Sequence, residues 1–146
     1  MSKYMLIMRG TDESNAAMMA NIGEMMAATQ QFIEEMIKAG VLLAAEGLDD
    51  PDLGVVVDFS GEAPVVTDGP YGETKELFGG YFMLDVASKE EAIEWAKRIP
   101  FEPDPKTGIE PEVELRRLFE LDDFAPSPAV EHHRKVGEQL AQSQKK

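Results

Sequence analysis

The stretch TDGPYGETKELFGGYFMLDV, residues Thr67–Val86, is the part of the sequence that decides the fold. Its second half, Gly79–Val86, is an apolar run that follows two glycines, which is typical of a β-strand bounded by a turn. Its first half contains Asp-Gly-Pro, in which glycine permits positive φ and proline sets the bend that follows. The stretch therefore predicts a loop at the edge of a sheet that leads into a strand.

The residues after this strand predict a helix with a clear beginning and end. Ser88 and Glu91 form the S-x-x-E pattern of a capping box, which predicts a helix over residues 89–98. Pro100 cannot continue this helix, because proline lacks the backbone N–H that the helix needs. An acidic loop rich in proline follows, and the apolar residues resume in a last strand predicted over Val113–Leu121.

The residues before the quoted stretch predict four more elements. The short apolar runs Lys3–Arg9 and Val41–Glu46 indicate strands, and residues 54–67 indicate a β-hairpin. Between the first two strands, apolar residues recur at spacings of three and four, which predicts an amphipathic helix over Glu13–Ala39. The order of elements predicts an α+β fold with an antiparallel sheet, of the ferredoxin-like split β-α-β kind.

The length of 146 residues fits one compact domain. We expect that domain over residues 1–121, followed by a polar C-terminal extension over residues 122–146 with a short peripheral helix. No segment approaches the about 20 apolar residues that cross a bilayer, and the first residues lack the pattern of a signal peptide. The sequence therefore predicts a cytoplasmic protein.

The composition argues against several classes of function. The 28 acidic and 14 basic side chains give a formal charge of −14, which repels nucleic acid and anionic membrane surfaces. The chain has no cysteine, which excludes disulfides, thiolate catalysis and cysteine-based metal sites. His132 and His133 are adjacent, so they diverge by about 100° around a helix and do not form a chelating pair. We expect no metal and no cofactor.

Both faces of the predicted strands carry apolar side chains. In the first strand Tyr4 and Leu6 point to one face while Met5 and Ile7 point to the other. Two helices can cover one face, but the sequence has no third apolar helix for the other. Burying one large apolar side chain stabilises a protein by about 1.5–3 kcal/mol, and the total stability of a domain is about 5–15 kcal/mol. Leaving several such side chains in water would therefore be costly. We therefore expect a two-fold homodimer in which two sheets pack face to face.

The quoted stretch also resembles a known family. The run Thr67–Glu76, followed by Gly79-Gly80-Tyr81-Phe82, is similar to the DGPF or DGPFAETKE motif of the YCII-related family. The likeness extends over about residues 1–121 through five further short segments, which are KYML at residues 3–6, AGVL at 39–42, EGL at 46–48, AIEWA at 92–96 and EVELR at 112–116. The chain is thus identified as a member of the DGPF subfamily.

The resemblance implies a ferredoxin-like fold that forms dimeric α+β barrels, found mainly in bacteria and often without an assigned biochemical function. Some relatives are encoded beside sigma factors or fused to them, which implies a regulatory association. The motif's Phe is Tyr71 in this chain and its Ala is Gly72. A His-Asp pair has been suspected of catalysis in the broader family, but this chain has no histidine before His132.

The Asp-Gly-Pro segment has two interpretations. Asp68 can simply accept backbone N–H bonds where the chain leaves the hairpin. Alternatively, Asp68 lies at the mouth of a cleft, where desolvation suits a carboxylate for proton transfer. In that case Tyr71 donates a hydrogen bond and Lys75 holds an anionic group of the ligand.

Three charged residues on predicted strands are further candidates for ligand binding. Glu46 ends a strand and either faces the same cleft or lies in solvent. Arg9 and Arg116 either clamp a carboxylate bidentately or pair with a neighbouring acid such as Glu114. The five methionines of the first predicted helix either fill the core or adapt to apolar ligands.

Two functional hypotheses follow. The first is a small-molecule-binding homodimer without catalysis, which serves a regulatory partner. The second is a cofactor-free enzyme that uses Asp68 and Tyr71 in proton transfer on a small polar substrate. A third, weaker hypothesis is a protein that acts only through interactions of its polar tail.

Overall fold

The structure, a computed structural model, describes residues 2–10, 20, 22–49, 51–69, 77–101 and 111–145. Its strands are β1 (Ser2–Gly10), β2 (Leu42–Gly47), β3 (Val55–Asp58), β4 (Val65–Asp68), β5 (Leu77–Val86) and β6 (Glu112–Arg117). Its α-helices are α1 (Ile22–Lys38), α2 (Lys89–Lys97) and α3 (Pro128–Ser143), with 3₁₀ turns at Pro51–Leu53 and Leu121–Asp123. Most of the first half of the helix predicted from Glu13 lies outside the described residues.

Four strands form one antiparallel sheet in the order β2-β5-β1-β6. The two central strands are β1 and β5, so the strand of the quoted stretch pairs with a neighbour on each side. Helix α1 connects β1 to β2, and α2 connects β5 to β6. The predicted α+β fold of the ferredoxin-like kind is confirmed.

The predicted hairpin forms a separate two-stranded sheet. Strands β3 and β4 pair antiparallel, with Val57 opposite Val66 and Val55 opposite Asp68. At the turn, the Asp58 carboxylate accepts a hydrogen bond of 2.8 Å from the backbone N–H of Ser60, as in an Asx-turn. The hairpin was expected from the sequence, but its separation from the main sheet was not.

The ends of the helices follow from local chemistry. Ser88 caps α2 by accepting a hydrogen bond of 3.1 Å from the N–H of Glu91. The Glu91 carboxylate accepts from the N–H of Ala87 at 2.9 Å, one residue before the cap. After α1, Gly40 adopts φ of +73°, and the N–H of Val41 donates back to the carbonyl of Met36 at 3.1 Å. The predicted Ser88 cap and the glycine stop are both present, while the reciprocal bond of a capping box goes to Ala87 rather than to Ser88 itself.

The core lies on the face of the sheet that α1 and α2 cover. Side chains from both helices join those of the central strands in one buried cluster. The Phe32 ring of α1 meets the Phe82 ring edge to face at 5.5 Å and the Trp95 ring of α2 at 6.1 Å. The side chains of Leu6, Met36 and Leu84 are fully buried there.

The opposite face of the sheet is covered less completely. Because neighbouring residues of a strand point to opposite faces, Met5, Ile7, Tyr81 and Met83 lie on the side away from α1 and α2. Ile7 is 8% exposed, while Met5, Tyr81 and Met83 are half-buried. We call this surface the outer face. One chain thus buries one face of its sheet and leaves part of the other exposed.

The C-terminal part differs in detail from the sequence prediction. Strand β6 ends at Arg117 rather than Leu121, because the Arg117 guanidinium binds both carboxylate oxygens of Asp123, at 3.0 and 3.1 Å, and the chain turns. The predicted helix of the extension is present as α3. It spans 16 residues, is capped by Ser127 and is exposed along most of its length. Among the described residues, none of the helices has the length and apolar character that a bilayer span requires.

Candidate functional site

The outer face carries a row of side chains that crosses all four strands. The strand register places Glu46 opposite Tyr81, Tyr81 opposite Ile7, and Ile7 opposite Glu114. Directly opposite residues of antiparallel strands share a face, with Cβ atoms about 4.5–5.5 Å apart. The row therefore has an apolar and aromatic centre and a carboxylate at each edge of the sheet.

The neighbouring row has a similar centre and a cation at one edge. Arg116 lies opposite Met5, Met5 opposite Met83, and Met83 opposite Ala44. Two flexible thioethers thus lie side by side in the middle of the outer face. Of the predicted site residues, Arg9, Glu46 and Arg116 share this face.

The two arginines lie near one carboxylate. The Arg9 Nη1 atom is 3.8 Å from Glu114 Oε2, and the Arg116 Nε atom is 3.9 Å from Glu114 Oε1. Both distances exceed a hydrogen bond, and Arg9 also lies opposite Glu112. The Arg9 side chain is 34% exposed and that of Arg116 is 71% exposed. The pairing with Glu114 that the sequence allowed is present, and most of the Arg116 side chain is accessible.

Glu46 lies at the other edge of the same face. It is exposed in β2, the edge strand farthest from β6 in the sheet order. Three interstrand spacings of about 4.8 Å separate β2 from β6, so Glu46 lies at least about 14 Å from Arg116. Glu46 and Arg116 therefore flank the apolar centre from opposite sides and are too far apart to form an ion pair with each other.

Asp68 does not occupy the enclosed position that its predicted role in proton transfer requires. It is exposed at the end of β4, in the hairpin and outside the four-stranded sheet. The hairpin closes at its base through a 2.8 Å hydrogen bond from the N–H of Gly69 to the carbonyl of Gly54. Tyr71 and Lys75, the other predicted residues of this group, lie outside the described residues.

Asp85 is a candidate that the sequence reasoning missed. It lies on the outer face of β5, two residues after Met83 and opposite Lys3. Its Oδ1 atom is buried and has no hydrogen-bond donor within the described part of the chain. A buried carboxylate oxygen without a partner is costly, and such groups are often found where a ligand binds. An acid within the apolar run FMLDV was the available signal.

The fold and this face define a class of protein. A four-stranded antiparallel sheet with two helices on one face is a ferredoxin-like α+β domain. The family model of the YCII-related domain matches residues 2–117, and the chain belongs to that family. The matched region ends at the last residue of β6, so α3 lies beyond it.

A curated relative gives a second comparison. The chain is 32% identical over 72 residues to an uncharacterised protein of Rhizobium meliloti (strain 1021). The match covers 49% of this chain and 57% of the relative, so the chain spans little more than half of that protein. The comparison adds no activity to the family assignment. Membership in the DGPF subfamily stays a prediction.

Proposed function

We propose that this protein is a small-molecule-binding homodimer and that its ligand site lies over the outer face of the sheet. The observation that carries this proposal is the composition of that face. Half-buried Met5, Tyr81 and Met83 form its centre, and charged side chains line two edges. Binding sites for small molecules are commonly apolar surfaces with a few placed polar groups.

The dimer is supported by the unequal covering of the two faces. Packed sheets lie about 10 Å apart, with the side chains of their facing surfaces interdigitated. A second copy can supply such a facing sheet, since it presents the same half-covered surface. Because the centre of the face is apolar and its edges are charged, two copies would leave polar openings where a ligand can enter.

The chemistry of the face indicates the class of ligand. A planar guanidinium binds a carboxylate bidentately, and Arg116 is accessible for such a contact. The thioethers of Met5 and Met83 adapt to an apolar body. Asp85 and Glu46 can accept hydrogen bonds from ligand N–H or O–H groups. We propose a small organic acid with an apolar body and at least one hydrogen-bond donor.

The alternative, proton transfer by Asp68 and Tyr71, has less support in a single chain. Asp68 is exposed in the single chain, and an exposed carboxylate is surrounded by water. This hypothesis needs a second copy that encloses Asp68.

The regulatory association implied by the family resemblance also stays a prediction.

A thermal-shift screen against a metabolite library tests ligand binding, because a ligand selective for the folded state raises Tm by mass action. We expect organic acids among the compounds that raise Tm. The Arg116→Gln variant should then bind such a compound at least about tenfold more weakly. Arg117→Gln is a matched control, since Arg117 lies next in the strand, points to the other face and pairs with Asp123. If Arg116→Gln and Arg117→Gln bind the compound with equal affinity, the ligand does not contact Arg116 and the proposed site is wrong.

Sedimentation velocity tests the dimer separately. We expect a dimer at micromolar concentration in the absence of ligand. A stable monomer over that range would contradict the proposed assembly.

A further inference from the structure

The two edges of the four-stranded sheet differ in regularity. The register between β2 and β5 shifts between Leu42 and Ala44, and a bulge of this kind blunts an edge strand. Strand β6, at the opposite edge, pairs with β1 without any shift and contains no proline and no lysine, which commonly protect edges. In the described part of the chain, β1 is the one strand that pairs with β6. The remaining side of β6 is therefore a regular strand edge.

Every second residue of β6 turns its backbone groups away from β1. The N–H of Leu118 donates to the carbonyl of Lys3 at 2.9 Å, so the backbone groups of Leu118 point toward β1. Hydrogen-bonded and non-hydrogen-bonded pairs alternate along an antiparallel ladder. Counting back from Leu118, the N–H and C=O groups of Val113, Leu115 and Arg117 point away from β1. We call these groups the β6 edge.

The charges of β6 are complementary to those of a second, antiparallel copy. Glu114 and Arg116 lie on the outer face on either side of Leu115, and their side chains are 40% and 71% exposed. When Leu115 lies opposite the partner's Leu115, each Glu114 lies opposite the partner's Arg116, and opposite charges at such positions stabilise a sheet. A shift by two residues places like charges opposite each other, and a shift by one residue joins the outer face of one copy to the covered face of the other. Charge therefore selects one register.

The same register also satisfies the backbone. Leu115 faces the partner's Leu115 and Val113 faces the partner's Arg117, so the groups of the two β6 edges meet and about six backbone hydrogen bonds form. Glu114 and Arg116 then belong to the non-hydrogen-bonded pairs, in which side chains approach most closely. Val113 and Leu115 are only partly buried at the margin of the core, and a second strand would cover them further.

We propose that the β6 edge pairs antiparallel with the β6 edge of a second copy of this chain, about a two-fold axis that passes between the two Leu115 residues. The contact goes beyond the proposed ligand site and does not depend on it. It uses the edge of the sheet, whereas the ligand and the facing sheet of the proposed homodimer occupy the outer face. Arg116 has five N–H donors, so it can contact the partner's Glu114 and still donate to a ligand. Because one strand edge buries little surface, we expect a Kd above about 10 µM.

Sedimentation velocity over a concentration series measures this contact. The face-to-face homodimer is expected at micromolar concentration, so edge pairing appears as a further step to larger species as the concentration rises toward about 1 mM. Glu114→Arg should weaken this step at least about tenfold, because two pairs of like charges then lie opposite each other. Glu112→Arg is a matched control with the same change of charge, since the proposed register places Glu112 opposite the partner's Leu118. The control should change the Kd less than about threefold.

A mixing experiment tests whether the charges pair between copies. Arg116→Glu alone should also weaken the step at least about tenfold. A mixture of the Glu114→Arg and Arg116→Glu variants should restore the Kd to within about threefold of the wild-type value, since the facing charges are again opposite in sign. Each reversal changes the net charge of −14 by only two units, so both variants stay acidic and general attraction cannot cause the recovery. A mixture that associates no better than the single variants would overturn the proposed contact.

A proline variant tests the backbone pairing. Val113→Pro removes an N–H that points away from β1, a position at which an edge strand tolerates proline, and should weaken the step at least about tenfold. Val113→Ala keeps the N–H and should stay within about threefold of the wild-type Kd. Circular dichroism checks that both variants fold. Equal association by Val113→Pro and Val113→Ala would overturn the backbone pairing, and the mixing experiment decides the proposal by itself if the proline variant does not fold.

The outcomes separate this inference from the proposed function. A wild-type dimer that shows no further association up to about 1 mM would overturn the edge contact and leave the homodimer intact. A protein that is monomeric at micromolar concentration and associates only at higher concentration, with the expected dependence on charge, would overturn the homodimer and support the edge contact. Stronger weakening by Glu112→Arg than by Glu114→Arg would overturn the register.

Discussion

The two faces of the four-stranded sheet are built from the same strands but have different roles. On β5, Phe82 and Leu84 are buried beneath α1 and α2, while their neighbours Tyr81 and Met83 on the outer face are half-buried. The covered face has an aromatic cluster and no charged side chain among its buried residues in the described part of the chain. The outer face combines apolar groups with charges at its edges. The covered face supplies folding stability, and the outer face is the one on which we propose that the ligand binds.

The largest expected effect comes from matched truncations across the sheet. Leu84→Ala removes a fully buried side chain and should lower the free energy of unfolding by about 2–5 kcal/mol. Met83 is the adjacent residue on the outer face. At a concentration where the protein is monomeric, Met83→Ala should lower the unfolding free energy by less than half as much. Urea denaturation measures both. Equal losses would show that the outer face is packed as tightly as the core.

The next effect concerns the end of the sheet where β2 and β5 approach closely. A Cβ atom at Gly80 would lie 2.8 Å from the Glu46 carbonyl oxygen and 2.7 Å from the Met8 Cε atom. Gly80→Ala should therefore lower the unfolding free energy by about 1–3 kcal/mol. At Gly79 the nearest atom is the Met8 carbonyl oxygen at 3.7 Å, an ordinary contact. The unfolding free energy of Gly79→Ala should stay within about 0.5 kcal/mol of the wild-type value. A comparable loss in Gly79→Ala and Gly80→Ala would show that steric crowding is not the cause.

A smaller effect is expected where α1 ends on the covered side. Gly40 has φ of +73°, and a side chain there adds about 1–2 kcal/mol of strain. Gly40→Ala should lower the unfolding free energy by about that amount. Gly23→Ala, in the same helix with no atom within 4 Å of its Cβ position, should leave stability unchanged or raise it by up to about 1 kcal/mol. Thermal denaturation measures both effects. Tm should fall in Gly40→Ala, whereas it should stay the same or rise in Gly23→Ala.

The smallest effect is expected beyond the sheet, at the turn before α3. The pKa of Asp123 is held below its ordinary value of 3.8. The main cause is hydrogen bonding from the Arg117 guanidinium, and the second is a hydrogen bond from the backbone N–H of Glu120. A lowered pKa stabilises the turn at neutral pH, and this contribution is lost as the pH falls below 3.8 through the folded-state pKa. Arg117→Gln should raise the pKa of Asp123, which NMR titration of the carboxyl group measures. An unchanged pKa would show that the guanidinium is not its main cause.

The sequence supported the main sheet well because each strand and helix has its own local signal. The capping residue Ser88, the glycine after α1 and the alternation within β1 and β5 were readable without tertiary information. The end of β6 was misjudged because it depends on the Arg117–Asp123 contact, in which a side chain of the strand binds one beyond it. Periodicity contains no information about such a contact.

The candidate site was only partly predictable. Arg9, Glu46 and Arg116 were chosen one by one, and the strand register is what places them on one face. Asp85 was not chosen, because the buried state of its Oδ1 atom depends on neighbours from other parts of the chain. Asp68 had two interpretations, a backbone-capping residue where the chain leaves the hairpin or a carboxylate at the mouth of a cleft, and the structure shows it exposed on a separate hairpin.

The sequence by itself determined the element types, the two helices on one side of an antiparallel sheet and the family to which the chain belongs, because these depend on local spacing and a long motif. Tertiary structure alone decided which charges share the outer face, that the hairpin stands apart from the main sheet and that the Asp85 Oδ1 atom is buried without a donor from the described residues. The physical reason is that register and burial are set by contacts between residues far apart in the chain, whereas capping, alternation and turn chemistry act between neighbours.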